Sequence, residues 1–165
     1  MLNLQSRPLL FRHAPAFGIF AFARFAFGNV RVRRRQRPVV KVLPLLLDLK
    51  GRDAVSPSLY DRDAYQFYLR QHTNEISAIR FDVLWKASNA SSVKLKLRVE
   101  LRGIGAGGLP RQTTLEQSVM PGFFRRWTSL TLGGADYKNF GDLVAWRATL
   151  WSDDQLLGEQ KSFLW

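Results

Sequence analysis

The sequence predicts a mainly β protein, an antiparallel two-sheet β-sandwich of six to seven strands with one short helix before the main strands. From Ile79 onward, apolar and polar residues alternate with a period of two. Clusters of Gly, Ser, Asn and Asp separate these runs at intervals of about ten residues. Segments long enough to be helical crossovers are missing between the runs, which disfavours a parallel α/β fold.

The clearest alternation predicts one central strand. Its apolar positions are Val93, Leu95, Leu97, Val99 and Leu101, separated by Lys, Arg and Glu. Successive strand side chains point to opposite faces, so this strand has one buried face and one solvent face. Similar runs predict strands around Phe81–Trp85, Leu115–Val119, Thr128–Leu132, Val144–Trp151 and Gln155–Trp165. A sheet of this kind buries its apolar face against a second sheet, and the pattern resembles an immunoglobulin-like or related sandwich.

Two elements are predicted before the main strands. The β-branched run 39–47 contains Pro44, which favours an edge strand that is broken or bulged at the proline. A short helix is predicted over 56–70, where Ser58 is the N-cap and Asp61 completes a capping box. Helical spacing predicts that one face packs on the sandwich, formed by Leu59, Ala64, Phe67 and Tyr68.

Residues 1–38 are predicted to be a basic leader or arm, and residues 39–165 the β-sandwich domain. The first 42 residues hold nine of the 25 basic residues and no acidic residue, whereas residues 43–165 have 16 basic and 13 acidic residues. Arg7 and Arg12 precede the apolar run Ala14–Ala23, which is the outline of a signal peptide and is too short for a membrane span. A transit peptide, a disordered arm and a mis-assigned start remain alternatives. As single options, an exported location, periplasmic or secreted, is slightly favoured over a cytoplasmic one.

An arginine-rich run lies at the end of the basic segment. Such a run is typical of a contact with nucleic acid or with a membrane surface. A solvated linker is the favoured alternative, because no aromatic residues separate the arginines as base stacking would require. The residues of this run are Arg31, Arg33, Arg34, Arg35 and Arg37.

Several kinds of chemistry are excluded or disfavoured by composition. The chain has no cysteine, which excludes disulfides and thiolate ligands, and it has only two histidines, His13 and His72. The glycine-rich run 103–108 precedes Leu109-Pro110 and a strand instead of a helix, so a hairpin loop is favoured over a phosphate-binding loop. Asp48, Asp53, Asp61 and Asp63 lack the spacing of an EF-hand loop. We therefore expect no metal, no cofactor and no enzymatic activity.

Five residues are predicted to form a contact surface. Two aromatic and two basic residues follow Pro121-Gly122 in a predicted loop, and a tryptophan lies out of phase with Trp146 and Leu150 and so faces away from the core. The five residues are Phe123, Phe124, Arg125, Arg126 and Trp151. The sequence thus favours a non-enzymatic binding or interaction module, with a protein or polysaccharide partner. The alternative is a nucleic-acid-associated protein that uses the arginine-rich arm.

Overall fold

The computed structural model describes residues 38–87 and 94–165. The predicted leader, the signal peptide, the five arginines of the arm and Val93 of the predicted central strand lie outside these residues. The described residues form seven strands and two α-helices: β1 Val39–Asp48, α1 Leu59–Gln71, β2 Ile76–Ala87, β3 Leu95–Ile104, β4 Pro110–Val119, β5 Gly122–Gly133, α2 Gly134–Phe140, β6 Asp142–Ser152 and β7 Gln155–Lys161.

The strands form two antiparallel sheets, one in the order β1-β2-β5 and one in the order β4-β3-β6-β7. The two-sheet β-sandwich predicted from the alternating pattern is therefore confirmed. The glycine-rich run 103–108 connects β3 to β4 as a hairpin, in which Ile104 pairs with Pro110. The chain crosses between the sheets from β2 to β3, from β4 to β5 and from β5 to β6.

The core lies between the two sheets. It consists largely of the apolar residues that the alternating pattern predicted to be buried. Phe81 and Val83 of β2 and Leu97 and Val99 of β3 are fully buried, and burying such a side chain contributes about 1.5–3 kcal/mol. Trp85 is also buried, and its indole Nε1 donates a hydrogen bond of 2.9 Å to Thr128 Oγ1 in β5. This bond satisfies the one polar group of the largest core side chain and links the two strands.

Strand β1 lies at the edge of its sheet, as Pro44 predicts, but the predicted break at the proline is wrong. Pairing with β2 continues through Pro44 and Phe81, and the register shifts occur near the two ends of β1. The backbone groups of Leu46 bond Gln66 of α1 instead of β2, so this side of β1 is the open edge. Pro44 lies two residues earlier and directs its nitrogen to the same side, where no sheet hydrogen bond is lost.

Helix α1 begins after Ser58, whose Oγ accepts a hydrogen bond from the Asp61 N–H, so the predicted N-cap is confirmed. The capping box is different from the prediction, because the Asp61 carboxylate accepts from Ser56 Oγ and does not reach the Ser58 N–H. The predicted packing face is wrong. Leu59, Ala64, Phe67 and Tyr68 are exposed, and the buried residues of the helix are Gln66 and Leu69.

Gln66 attaches the helix to the sheet by imitating a strand residue. The Leu46 N–H donates to Gln66 Oε1 at 2.8 Å, and Gln66 Nε2 donates to the Leu46 carbonyl at 2.9 Å. The same Nε2 also donates to the Asp53 carbonyl at 2.9 Å. These polar contacts determine which side of the helix faces β1, and apolar periodicity does not detect them.

Replacing Gln66 by leucine should therefore destabilise the fold although the volume is nearly kept. The variant leaves the Leu46 N–H and carbonyl and the Asp53 carbonyl without partners, at a cost of about 2–4 kcal/mol in the free energy of unfolding. Chemical denaturation of both proteins measures this difference. Gln71→Leu, on the exposed last position of the same helix, is the control and should change stability by less than about 0.5 kcal/mol.

Helix α2 was not predicted, because it is only seven residues long and has no side-chain N-cap. It ends at Gly141, whose φ of 76° is the left-handed conformation that glycine adopts without strain. A Cβ at Gly141 would also overlap the carbonyl of Ile104 at the end of β3. The helix end is therefore in contact with the neighbouring strand, and only glycine fits there.

Gly141→Ala should lower the free energy of unfolding by at least about 3 kcal/mol, since it combines a left-handed alanine with a backbone overlap. Gly108→Ala is the matched control, because its φ of 74° is similar and no atom lies within 4 Å of the added Cβ. The control isolates the conformational cost of about 1–2 kcal/mol. Equal losses in the two variants would show that the contact with Ile104 contributes nothing.

Candidate contact surface

Residues 123–126 lie within β5 and not in a loop, so that part of the sequence prediction is wrong. The strand begins at Gly122, directly after the short connection Met120-Pro121 from β4, and Gly122 pairs with Ala87 of β2. The sequence concealed the strand because Phe123 to Arg126 do not alternate. The first half of β5 has almost no buried side, whereas Leu130 and Leu132 in the second half are buried.

The irregularity in β5 is a bulge of more than one extra residue. Trp85 pairs with Arg126 and Ala87 pairs with Gly122, so three residues of β5 lie opposite the single residue Lys86. Bulges bend an edge strand and redirect its side chains. The bulge residues Phe123 and Phe124 are 83% and 84% exposed. Both rings therefore project from the molecule instead of joining the core.

Two further apolar side chains and three cations lie in or next to the bulge, and a fourth cation, Lys41, lies across the sheet on β1. Met120 is 54% exposed and Trp127 is 51% exposed. Trp127 pairs with Leu84, whose partner on the other side is Lys41 of β1, so this row crosses the outward face of the sheet. We call the whole set the aromatic–basic surface. It consists of Met120, Phe123, Phe124 and Trp127 with Lys41, Lys86, Arg125 and Arg126.

The cations of the aromatic–basic surface are not neutralised. Within residues 38–87 and 94–165, none of the four lies within 4 Å of a carboxylate oxygen. The guanidinium of Arg126 folds back over Gly122, which has no side chain to displace it, and Nη1 donates to the Met120 carbonyl at 3.5 Å. Asp82 of the same sheet already accepts hydrogen bonds from Arg80 and Ser129. The surface therefore carries a net positive charge beside exposed aromatic rings.

Trp151 lies on the other sheet, so the structure does not place it beside the bulge. It faces outward from β6, as predicted from its phase, in the row where it pairs with Lys96 of β3. Its Nε1 donates to Thr149 Oγ1 at 2.9 Å, and the Arg98 guanidinium lies 5.8 Å from the ring centroid. The tryptophan is thus half-buried among its neighbours, and its predicted role in a contact remains a prediction.

A second tryptophan on that outward face was missed by sequence reasoning. The guanidinium groups of Arg102 and Arg147 lie 4.0 and 4.9 Å from the ring centroid of Trp165, and Arg147 also binds Glu100 at 2.7 Å. Alternation places both arginines outward. It does not show that the chain folds back after β7, where Ser162 bonds the backbone of Trp146.

A cavity of about 240 Å³ lies at the other end of the sandwich, between the start of β2 and helix α2. Burial raises the pKa of Tyr137 in its wall, with a smaller contribution from the charge of Asp142. The lining residues are mostly apolar: Pro44, Leu46, Ile76, Ile79 and Leu143, with Arg70, Thr73, Tyr137 and Asp142.

Of the aspartates that were considered as calcium ligands, Asp48, Asp53 and Asp61 have separate protein partners. Asp53 binds Arg80 at 3.4 Å, and Asp61 accepts from Ser56. No group of three or more His, Asp or Glu side chains suited to a metal ion occurs in the part of the chain that the structure describes. His72 caps the end of α1, where its ring stacks on Tyr68 at 4.0 Å between centroids.

Asp48 is the most strongly bound carboxylate of the described residues. It accepts hydrogen bonds from the N–H groups of Lys50 and Arg52, from the Arg52 guanidinium and from the Tyr65 hydroxyl, all between 2.8 and 2.9 Å. These neighbouring residues at the surface, and not the apolar core, shield the Asp48 carboxylate from solvent. Burial by itself would raise the pKa of Asp48, but the hydrogen bonds outweigh burial and hold it well below its ordinary value.

Asp48→Asn should destabilise the protein in a pH-dependent way. Asparagine cannot accept from Arg52 and Tyr65 as a carboxylate does, so we expect a loss of about 2–3 kcal/mol near pH 7. Because the folded-state pKa is lowered, the stabilisation by Asp48 is present above the ordinary value of 3.8 and declines as the pH falls below it.

The difference in free energy of unfolding between the two proteins, measured by denaturant titration at several pH values, should therefore shrink below pH 3.8. Asp154→Asn, in the exposed turn between β6 and β7, should show a small effect at every pH. A constant difference for Asp48→Asn would contradict the assignment.

No protein family matches the chain, and comparisons with curated proteins and with solved structures also found no match. Among the described residues, no helix combines the length and the apolar character needed to span a membrane.

Proposed function

We propose that this chain is a non-enzymatic binding module that contacts a negatively charged partner through the aromatic–basic surface. The observation that carries the proposal is the β5 bulge, which holds Phe123 and Phe124 in solvent next to cations without carboxylate partners. Leaving two phenylalanine side chains in water forgoes about 1.5–3 kcal/mol each. A binding partner that covers them recovers this free energy.

The bulge also supports the proposal by its position in the sheet. A regular β5 would place every second side chain of residues 123–126 toward the core, as it does for Leu130 and Leu132. Bulges occur often next to functional sites, where they redirect a side chain. Aromatic residues, Met and Arg are also enriched at protein interfaces relative to the rest of the protein surface.

We further propose that the sandwich is immunoglobulin-like. If the strands are lettered A, B, C, C′, E, F and G from β1 to β7, the sheets become A-B-E and C′-C-F-G. This grouping agrees with the arrangement of immunoglobulin-like sandwiches, in which strand C and strand F share a sheet and strand B lies in the other. The chain has no cysteine, so it cannot form the disulfide that joins strands B and F in antibody domains.

A role in nucleic-acid binding through the arginine-rich arm is the second candidate. The supporting observation is where the arm joins the sandwich. The Lys86 N–H donates to the Pro38 carbonyl at 2.7 Å, so the chain leaves β1 beside the residue that faces the bulge. Pro38, the first described residue, therefore lies at the end of the sheet that carries the aromatic–basic surface.

Binding of the full-length chain to three immobilised anionic probes tests the proposal: heparin, single-stranded oligothymidylate and vesicles of anionic phospholipid. We expect Phe123→Ala/Phe124→Ala to weaken binding to at least one probe by about tenfold or more. Tyr60→Ala/Phe67→Ala is the matched control, because it removes two exposed aromatic rings from α1. The control should bind each probe within about twofold of the unaltered protein.

The two candidate functions give different results in this assay. If the arm is the binding site, replacing Arg31, Arg33 and Arg34 by serine abolishes oligothymidylate binding, and the double phenylalanine variant binds normally. If neither the bulge variant nor the arm variant differs from the control with any probe, the chain does not bind anionic partners in either way.

A further inference from the structure

We infer that the partner of the aromatic–basic surface is an anionic phospholipid membrane, into whose surface Phe123, Phe124 and Met120 insert. This inference rests on the proposed function, because it uses the same surface and names the class of partner. Three observations carry it: the composition of the protruding segment, the exposure of its apolar side chains and the placement of its cations.

The protruding segment contains apolar and cationic side chains and little else. Residues 120–127 are Met-Pro-Gly-Phe-Phe-Arg-Arg-Trp. None of them is Asn, Gln, Ser or Thr, which are the residues that would hydrogen bond to base edges or sugar hydroxyls alongside arginine. A mixture of Phe, Trp and aliphatic residues with Lys and Arg is typical of segments that lie at the lipid interface.

The apolar side chains of the segment are exposed together. Phe123 and Phe124 are consecutive in the bulge, and both are more than four-fifths exposed. Met120 precedes them at the corner between the two sheets and has no flat ring on which a base or a sugar can stack. A lipid surface accommodates apolar groups in any relative orientation, whereas a nucleic acid or a polysaccharide requires flat faces in a row.

The cations lie where phospholipid headgroups would be. Arg125 and Arg126 follow the phenylalanines directly, and Arg126 is held beside Met120 by its bond to that carbonyl. Lys86 lies opposite the bulge in the neighbouring strand. Trp127, half-exposed on the sheet face, occupies the position of the interfacial aromatic residue. Each cation close to an anionic membrane surface strengthens binding by about fivefold.

The acidic residues of this end of the molecule lie outside the aromatic–basic surface. Asp153 and Asp154 lie in the turn between β6 and β7, which belongs to the other sheet. Asp82 is bound by Arg80 and Ser129 on the outward face of the first sheet.

Cosedimentation of the full-length chain with vesicles tests the inference. The vesicles are phosphatidylcholine with about 30 mol% phosphatidylglycerol, or phosphatidylcholine alone, in about 0.15 M salt. We expect binding to the anionic vesicles to exceed binding to the neutral vesicles. Phe123→Ala/Phe124→Ala should lower the partition onto anionic vesicles by about tenfold or more, while Tyr60→Ala/Phe67→Ala leaves it within about twofold.

A second measurement reports insertion directly. The chain has no cysteine, so Met120→Cys provides a single attachment point for an environment-sensitive fluorophore. Its emission should rise and shift to shorter wavelength with anionic vesicles. Leu109→Cys is the control, because Leu109 is exposed in the hairpin at the far end of β4 and should report no change.

The outcomes separate this inference from the proposed function. If the phenylalanine variant loses binding to heparin or oligothymidylate but keeps vesicle binding, the contact surface stands and the lipid assignment is wrong. If vesicle binding is unchanged in that variant and the fluorophore at position 120 stays in water, association is by charge alone and the inference is overturned. If no probe distinguishes the variant from the control, the inference and the proposed function both fail.

Discussion

The backbone groups at the open strand edges are the constraint on which much of this structure depends. A two-sheet sandwich buries its faces but leaves four edge strands whose N–H and carbonyl groups could pair with another chain. Strand β1 satisfies this constraint with Pro44 and with the side-chain amide of Gln66. Strand β7 has only seven residues, and its Gly158 lies so close to Pro38 that a side chain would not fit there. Strand β5 meets it with a bulge flanked by arginine. The device that protects this edge also exposes the aromatic rings.

Strand β5 therefore performs two tasks along its length. Its second half completes the core with Leu130 and Leu132 and accepts the hydrogen bond of Trp85 through Thr128. Its first half contributes nothing to the core and presents Phe123 and Phe124 to solvent. The buried second half of β5 holds the exposed first half in position, and a rigid support of this kind suits a binding surface.

The sequence predicted the parts of the fold that depend on apolar alternation. The central strand β3, with Leu97 and Val99 inward and Arg98 outward, was read correctly because a single period describes it. Helix α1 was misread, because its orientation comes from the polar contacts of Gln66, and Leu59 and Phe67 are exposed despite their apolar character. This part of β5 was taken for a loop because residues 123–126 do not alternate. Of the five residues of the surface on β5, those from Phe123 to Arg126 were predicted from composition and Trp127 was not. Lys41 and Lys86 join them only through strand pairing, which no spacing in the sequence reveals.

The crossings between the sheets have a consequence for the order of folding. The hairpins β3–β4 and β6–β7 are local, but the hydrogen bond between Trp85 and Thr128 closes a loop of 43 residues, and the bond between Thr149 and Arg98 closes one of 51. Closing a long loop costs more conformational entropy, and this cost arises before the contacts that stabilise the loop are formed. Such topologies therefore fold in milliseconds to seconds. Until β5 pairs with β2, the core leucines and the two phenylalanines of β5 are all exposed to solvent. Chain concentration during refolding then decides how many molecules reach the sandwich before they associate.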